Sequence, residues 1–280
     1  MFTILLKLLS FGSYVFSLLK IAVSLPIAII GFVVLSFWHE KSDDPNLDFM
    51  RKHMNKTRKT PILLLHGSNA NQQQWFLFRK WLSSDDVGHV FSLNMNKARR
   101  CDDHNRDVLD YARSVHQKLV AIKKLYSDCG VDITSIILIG NSMGGLVAGA
   151  YCISDYYDME DAVKVEAVIT ISTPWGGTKI ADWFCNKNKY PEKYFCTDSI
   201  DRKNLVEKVL QFSNAYGVSV YNYGSMFDLL VPLHSSHIPE VPKKHQHQDY
   251  RNDHWTTMLD RKLAIFVREK WVKPNTSIFV

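Results

Sequence analysis

The sequence predicts an α/β fold: a mostly parallel, doubly wound sheet with a small cap, preceded by an apolar N-terminal helix. Three observations point there. Short aliphatic runs recur along the chain, each bounded by turn-forming residues. Between two of them, Val108, Ala112, Val115, Leu119, Ile122 and Tyr126 recur at steps of three and four, the period of one helix face. Ahead of all of them, residues 1–40 carry only Lys7, Lys20 and Glu40 as formal charges. Aliphatic runs without in–out alternation suit strands buried on both faces. Strands that alternate with helices suit a parallel sheet covered on both sides.

Residues 21–38 (IAVSLPIAIIGFVVLSFW) hold no charge. At about 1.5 Å per residue this helix would be ~27 Å long, just enough to cross a hydrocarbon core of roughly 30 Å. Residues 2–19 form a second apolar stretch interrupted by Lys7, so residues 1–40 are expected to anchor the chain in a membrane by a single or double pass. Pro26 and Gly31 fit a membrane helix better than a soluble one. A cleaved signal peptide fits less well, because the apolar region is long and lacks a clear small-residue cleavage site; a buried core helix is the remaining alternative. Lys41, Arg51, Lys52, Lys56, Arg58 and Lys59 follow the stretch, against Lys7 and Lys20 before it, which leans toward a cytoplasmic soluble domain. Residues 41–60, with Asp44-Pro45 and no apolar period, read as a polar linker to a domain over 61–280.

Five strands are expected in that domain: residues 62–66 (ILLLH), 90–94 (VFSLN), 135–140 (SIILIG), 167–172 (AVITIS) and 218–223 (VSVYNY). The helix expected over about 102–126 opens with Asp102, Asp103 and Asp107 and closes with Lys123 and Lys124, as the helix dipole prefers. Residues 173–215 are less regular and read as a cap or lid. Trp175, Trp183, Phe184 and Tyr194 either line a substrate pocket there or pack the cap on the core.

The chemical signal sits at the end of the third strand: Gly140-Asn141-Ser142-Met143-Gly144, a G-x-S-x-G pattern. The pattern alone is weak. Its setting is not, because it follows the buried run SIILI and precedes the helix-compatible LVAGAYCI. That strand–turn–helix context is what a nucleophile elbow needs, with glycines removing side chains that would collide across the turn. A serine hydroxyl is a poor nucleophile unless an imidazole takes its proton, and that imidazole needs a carboxylate to fix its tautomer. The N–H after the nucleophile, that of Met143, would supply one oxyanion donor.

With these residues in hand, the chain resembles the α/β-hydrolase superfamily, and within it the bacterial lipases and esterases, over about 61–259. The segment ILLLHGSNANQQQW is similar to the strand and oxyanion loop that open such domains, and ILIGNSMGG to the elbow. STPWGGTKIADW resembles the lipase segment after the next strand, with Trp175 where many lipases have histidine. YGSMFDLLVP and DHWTTML resemble the acid and histidine motifs. The family's two leading antiparallel strands are not evident, which suggests a minimal core. The resemblance implies a triad in the order serine, acid, histidine, and no cofactor.

On that order Asp228 is the expected acid, with Asp253 and Glu240 as substitutes. His254, in a loop ahead of a probable last helix, is the expected base, with His237 as the alternative. His66 is expected to order the oxyanion loop, and by resemblance Ser68 supplies the second oxyanion N–H, with Asn69 the neighbour. His234, His237, His245 and His247 are expected in a solvated loop, since their HxxH and HxH spacings lack the acidic or cysteine partners of a zinc set. No metal is expected. Cys185 and Cys196 could bridge within the cap if the domain faced an oxidising compartment.

Net charge is +6, with no long basic run or aromatic-interleaved basic ladder, so no nucleic-acid partner is expected; five cysteines without a CxxC pair exclude a zinc ribbon. The resulting expectation is a membrane-anchored serine hydrolase that cleaves carboxylic esters, with an acyl ester or lipid as substrate. Thioester or amide hydrolysis, acyl transfer on the same triad, and a catalytically inactive interaction module are the alternatives.

Overall fold

The computed structural model describes residues 44–45, 47–53, 60–68, 70–84, 87–95, 107–184, 192–249, 252–254 and 256–273. The expected anchor at 1–40 lies outside them. Among the described residues no helix is long and apolar enough to cross a membrane.

In chain order the elements are α1 (Leu47–His53), β1 (Ile62–Leu65), α2 (Phe76–Leu82), β2 (Val90–Leu93), α3 (Val108–Ser127), β3 (Ser135–Asn141), α4 (Met143–Cys152), β4 (Lys164–Ile171), α5 (Lys179–Phe184), α6 (Ile200–Tyr216), β5 (Ser219–Ser225), α7 (Leu233–Ser236), β6 (Gln246–Asp249) and α8 (Arg261–Val267), with short 3-10 turns between. The strands form one six-stranded sheet in the order β2-β1-β3-β4-β5-β6, and every pairing is parallel. The doubly wound parallel sheet of an α/β-hydrolase fold is therefore present.

Alternate residues of the strands feed two separate cores. Leu63, Leu65, Ile136, Leu138 and Val168 face α3, α4 and α6. Ile62, Leu64, Ile137, Ile139 and Ile169 face α2 and α8 through Trp75, Phe78, Leu263, Val267 and Trp271. That is why these strands carry no polar face: both sides are covered. Helix α3 begins at a full capping box, in which Asp107 accepts from Leu109 N–H and Asp110 accepts from the Asp107 N–H. Its expected earlier start at Asp102 and Asp103 lies outside the described residues.

Three expectations change. Residues 47–53 of the expected linker form α1, with Met50 fully buried in the core. Just ahead, Asp44 accepts from Ser92 N–H (2.8 Å), Lys118 Nζ (2.5 Å) and Arg79 Nη1 (3.2 Å), so its carboxylate satisfies an outward N–H of edge strand β2. The region 173–215 contains α6, a crossover helix whose Leu205, Val209 and Phe212 belong to the core. The histidine-rich stretch is only partly a solvated loop: His234 is exposed on α7, His237 and His245 are half-buried between elements, and His247 lies in the edge strand β6. β6 pairs Tyr223 with His247, and the His247 ring stacks on Phe266 at 4.0 Å. An edge strand needs only backbone pairing, so the polar sequence Gln-His-Gln-Asp gave no hydrophobic signal for it.

Candidate active site

β1 lies between β2 and β3, so the connections leaving β1 and β3 diverge and open a crevice at the strands' carboxyl ends. Ser142 occupies that point as the residue between β3 and α4, with φ 53° and ψ −124°, a conformation non-glycine residues avoid. Its N–H donates to Ile171 O at 2.9 Å and its carbonyl accepts from Gly145 N–H at 3.1 Å, which fixes the turn. The glycines are required by close approach. A Cβ on Gly140 would lie 2.4 Å from the Gly144 and Gly145 backbone, and one on Gly144 would lie 2.1 Å from the Leu65 carbonyl oxygen. Met143 opens α4, where the first N–H groups have no intrahelical acceptor.

Asp228 and His254 come together from loops after β5 and β6. His254 Nδ1 and Asp228 Oδ2 are 2.8 Å apart, with the Asp228 side chain fully buried and that of His254 11% exposed. The other oxygen of Asp228 accepts from Leu230 N–H (3.0 Å) and Val231 N–H (2.8 Å), so the carboxylate is held from both ends. Burial pulls the His254 pKa down. Asp228, by charge and hydrogen bond, and Asp253, by charge, push it up, and the balance lies above the ordinary histidine value. Asp253 itself receives the Thr256 N–H at 2.9 Å, while Glu240 is exposed. His237 Nε2 meets the His247 carbonyl at 3.1 Å, and burial, opposed by that hydrogen bond, holds its pKa low.

Ser68 follows β1 in the facing loop; Asn69 lies outside the described residues. His66 is buried in this loop. Its Nε2 accepts from Met95 N–H at 2.9 Å, so the proton sits on Nδ1 and is donated to Gly67 O at 2.8 Å. Burial, only partly offset by the Gly67 hydrogen bond, lowers its pKa to about 4, so the ring is neutral at physiological pH.

The expected pocket residues separate. Trp175 is buried in the core, its Nε1 donating to Thr170 Oγ1 at 3.2 Å, whereas Trp183 is 76% exposed. The side chain of Phe184 and all of Cys185 lie outside what is described, so the Cys185–Cys196 bridge does too. Asp182, Cys196 and Asp198 place ligand-type atoms within 4.8 Å of one another. Both oxygens of Asp182, however, receive Thr197, through its N–H (2.9 Å) and its hydroxyl (2.6 Å), which reads as a loop staple.

Three residues escaped the sequence reading. Buried Arg202 donates to the carbonyls of Trp175, Cys196 (3.3 Å) and Thr197 (2.8 Å), tying the two arms of the 173–199 segment to α6. Asn252, two residues before His254, donates to Tyr223 Oη (3.2 Å), Asp249 Oδ2 (3.2 Å) and Asp260 Oδ2 (2.6 Å). Gln74 bonds both Gly67 N–H, in the loop after β1, and Asn141 beside Ser142. Each binds one group remote in sequence, Trp175, Tyr223 and Asn141 in turn, besides nearer ones, and a single polar residue carries no period; only the Asn-Asp-His adjacency at 252–254 hinted at one of them.

Comparison with known proteins places these features. Bacillus licheniformis lipase BlEst2 in its mature form superposes with a TM-score of 0.53 at 16% identity, covering 71% of this chain and 86% of that one. MGS-MChE2, an alpha/beta hydrolase from the metagenome of lagoon sediments at Mar Chica, Morocco, gives 0.52 at 18% identity, covering 78% and 93%. At such identities the likeness is one of fold. In sequence, a candidate GPI inositol-deacylase C of Yarrowia lipolytica is 32% identical over 84 residues, which is 30% of this chain. The chain spans about a tenth of that relative's length, the match covering 10% of it. The model of the PGAP1-like alpha/beta domain matches residues 56–259, from α1's end through the histidine loop, and the chain belongs to that family.

Proposed function

We propose that the chain is a serine hydrolase that cleaves a carboxylic ester of a membrane lipid through Ser142, His254 and Asp228. The observation that carries this is the 2.8 Å His254–Asp228 pair, formed from the loops after β5 and β6 at the strands' carboxyl ends, the end at which Ser142 sits in a strained elbow after β3. In the reaction, Ser142 Oγ attacks the ester carbonyl while His254 Nε2 takes its proton. Asp228 holds the ring with Nδ1 protonated and stabilises the imidazolium. The N–H groups of Met143 and Ser68 receive the oxyanion. His254 then protonates the departing alcohol, and water, deprotonated by the same ring, releases the acyl group.

The family and the relative support a substrate class. An acyl chain esterified to the polyol headgroup of a membrane glycolipid suits a domain similar to part of a GPI inositol-deacylase candidate. Attachment through residues 1–40 would hold the site at the bilayer, and the segment 173–199 is proposed as its cover. Trp183 and Phe184 are proposed there as substrate contacts, whereas the buried Trp175 packs the segment on the core.

A fluorophosphonate probe tests the core of this reading, because only an activated serine labels quickly. Wild type should label and hydrolyse p-nitrophenyl esters, and Ser142→Ala should do neither. Retention of a tenth of the turnover in Ser142→Ala would remove Ser142 as nucleophile. Membrane attachment is read separately, by whether the full chain stays with membranes through a carbonate wash.

A further inference from the structure

We propose that Gln74 is a positioning residue for the oxyanion hole. It anchors the Gly67 N–H, next to the Gly67–Ser68 peptide whose own N–H is to face the reacting carbonyl, and it ties that loop to the strand end carrying Ser142. This rests on the serine-hydrolase reading above.

Both backbone polar groups of Gly67 are occupied. Its N–H donates to Gln74 Oε1 at 3.2 Å, and its carbonyl accepts from His66 Nδ1–H at 2.8 Å and from Ala70 N–H at 3.3 Å. In a trans peptide the carbonyl and the following N–H point in opposite directions. Fixing the Gly67 carbonyl toward His66 and Ala70 therefore turns the Ser68 N–H the other way. The loop is also pressed against the nucleophile, since a Cβ on Gly67 would lie 3.2 Å from Ser142 Cβ.

The far end of Gln74 supplies the coupling. Its Nε2 donates to Asn141 Oδ1 at 2.5 Å, and Asn141 Nδ2 donates to Ile171 O at 3.1 Å. That carbonyl also accepts the Ser142 N–H. The chain begins at a fixed donor, Gly67 N–H, and ends at a fixed acceptor, Ile171 C=O. Only one orientation of each carboxamide satisfies both ends, so the polarity of the relay is determined by the backbone. One side chain thus spans the gap between the two groups whose separation decides catalysis, because an oxyanion donor works only when it lies about 2.7–3.1 Å from the developing charge.

The test uses the full chain, p-nitrophenyl butyrate and a trifluoromethyl ketone whose adduct carries the same oxyanion. Gln74→Met keeps the length of the side chain and removes both hydrogen bonds. It should lower kcat by roughly 10–100-fold, less than the ~10²–10³ of deleting a donor outright, with KM within about twofold. Ketone affinity should fall by the same factor as kcat. Gln74→Glu, which still accepts from Gly67 N–H, should retain at least about fivefold more kcat than Gln74→Met. A kcat within twofold of wild type in Gln74→Met, or a kcat loss without a matching ketone loss, would overturn the proposal. So would equal damage in both variants, unfolding of both included, since that marks a packing role. Should only Gln74→Met fail to fold, the match between kcat and ketone affinity is read on Gln74→Glu. If wild type neither hydrolyses the ester nor labels with fluorophosphonate, the hydrolase reading itself falls. If Gln74→Met labels at Ser142 as fast as wild type, only the positioning role falls.

Discussion

The two halves of the site are built by different means. The elbow is compact in sequence: Gly140 to Gly145 are consecutive, and an added Cβ would lie 2.4 Å from the Gly144 and Gly145 backbone at Gly140 and 2.1 Å from the Leu65 carbonyl oxygen at Gly144. The histidine half is assembled over long range. Asp228 follows β5, His254 follows the edge strand β6, and the loop between is held by Asn252, Tyr223, Asp249 and Asp260. Steric exclusion makes the first half all-or-none, and a network of hydrogen bonds makes the second graded. The difference sets what each half tolerates.

The largest effect is expected at the chemistry itself. Ser142→Ala and His254→Ala should each lower kcat by a factor of about 10⁴–10⁶ with the fold intact, and Asp228→Asn somewhat less. The double change of Ser142 and His254 should be barely worse than either alone in steady-state ester hydrolysis. Additive losses would mean that the two halves do not act as one unit.

Next come the elbow glycines. Gly144→Ala forces a Cβ to 2.1 Å from the Leu65 carbonyl oxygen, an overpacking against backbone that should cost about 3 kcal/mol or more. Urea unfolding measures it, and a loss under 1 kcal/mol would show that the elbow is softer than its contacts imply. The matching change in the other half, Asn252→Ala, should cost about 1–3 kcal/mol and slow turnover without abolishing it, as loss of buried hydrogen bonds does.

The smallest effects concern pH. The proposed mechanism needs neutral His254, whose pKa is raised. Activity should therefore fall as pH drops through a value above the usual ~6.5, and kcat/KM against pH reports it. Stability runs the other way at this pair. A raised folded pKa favours the folded state at low pH, and that contribution disappears as pH rises through the folded value. His66 has the opposite sign. Its folded pKa of about 4 means that the unfolded chain binds a proton first, so stability should be lost as pH falls from about 6.5 toward 4, by on the order of 3 kcal/mol. Thermal midpoints of wild type and His66→Gln across that range separate the two: the wild-type loss should be absent in the variant.

How much could be read beforehand follows the same division. The aliphatic strands, α3 and the G-x-S-x-G turn left local signatures, because burial on both faces and backbone collision constrain residue type at each position. Asp228 and His254 were reachable through chain order and resemblance, and the structure places them 2.8 Å apart. The strand β6 was missed because an edge can be paired while staying polar. Gln74, Asn252 and Arg202 were missed because a single polar residue, with partners both near and remote in the chain, does not announce them. The sequence 41–60 looked like a linker for a similar reason, since one buried methionine and one aspartate do the packing there.

That aspartate has a consequence for solubility. Among the described residues the sheet has β2 and β6 as its edge strands, and an edge strand offers backbone groups to any passing strand. At β6 the strand is polar, with Gln248 exposed, and it is preceded by the exposed Lys243 and Lys244, residues that discourage a hydrophobic visitor. At β2 the sequence VFSL gives no such protection; instead the Asp44 carboxylate occupies the Ser92 N–H and α1 follows alongside in sequence. A chain shortened to begin near Lys41 keeps that guard. One shortened to begin at Thr60 bares a β-branched and aromatic edge, and self-association rather than unfolding should be its first failure.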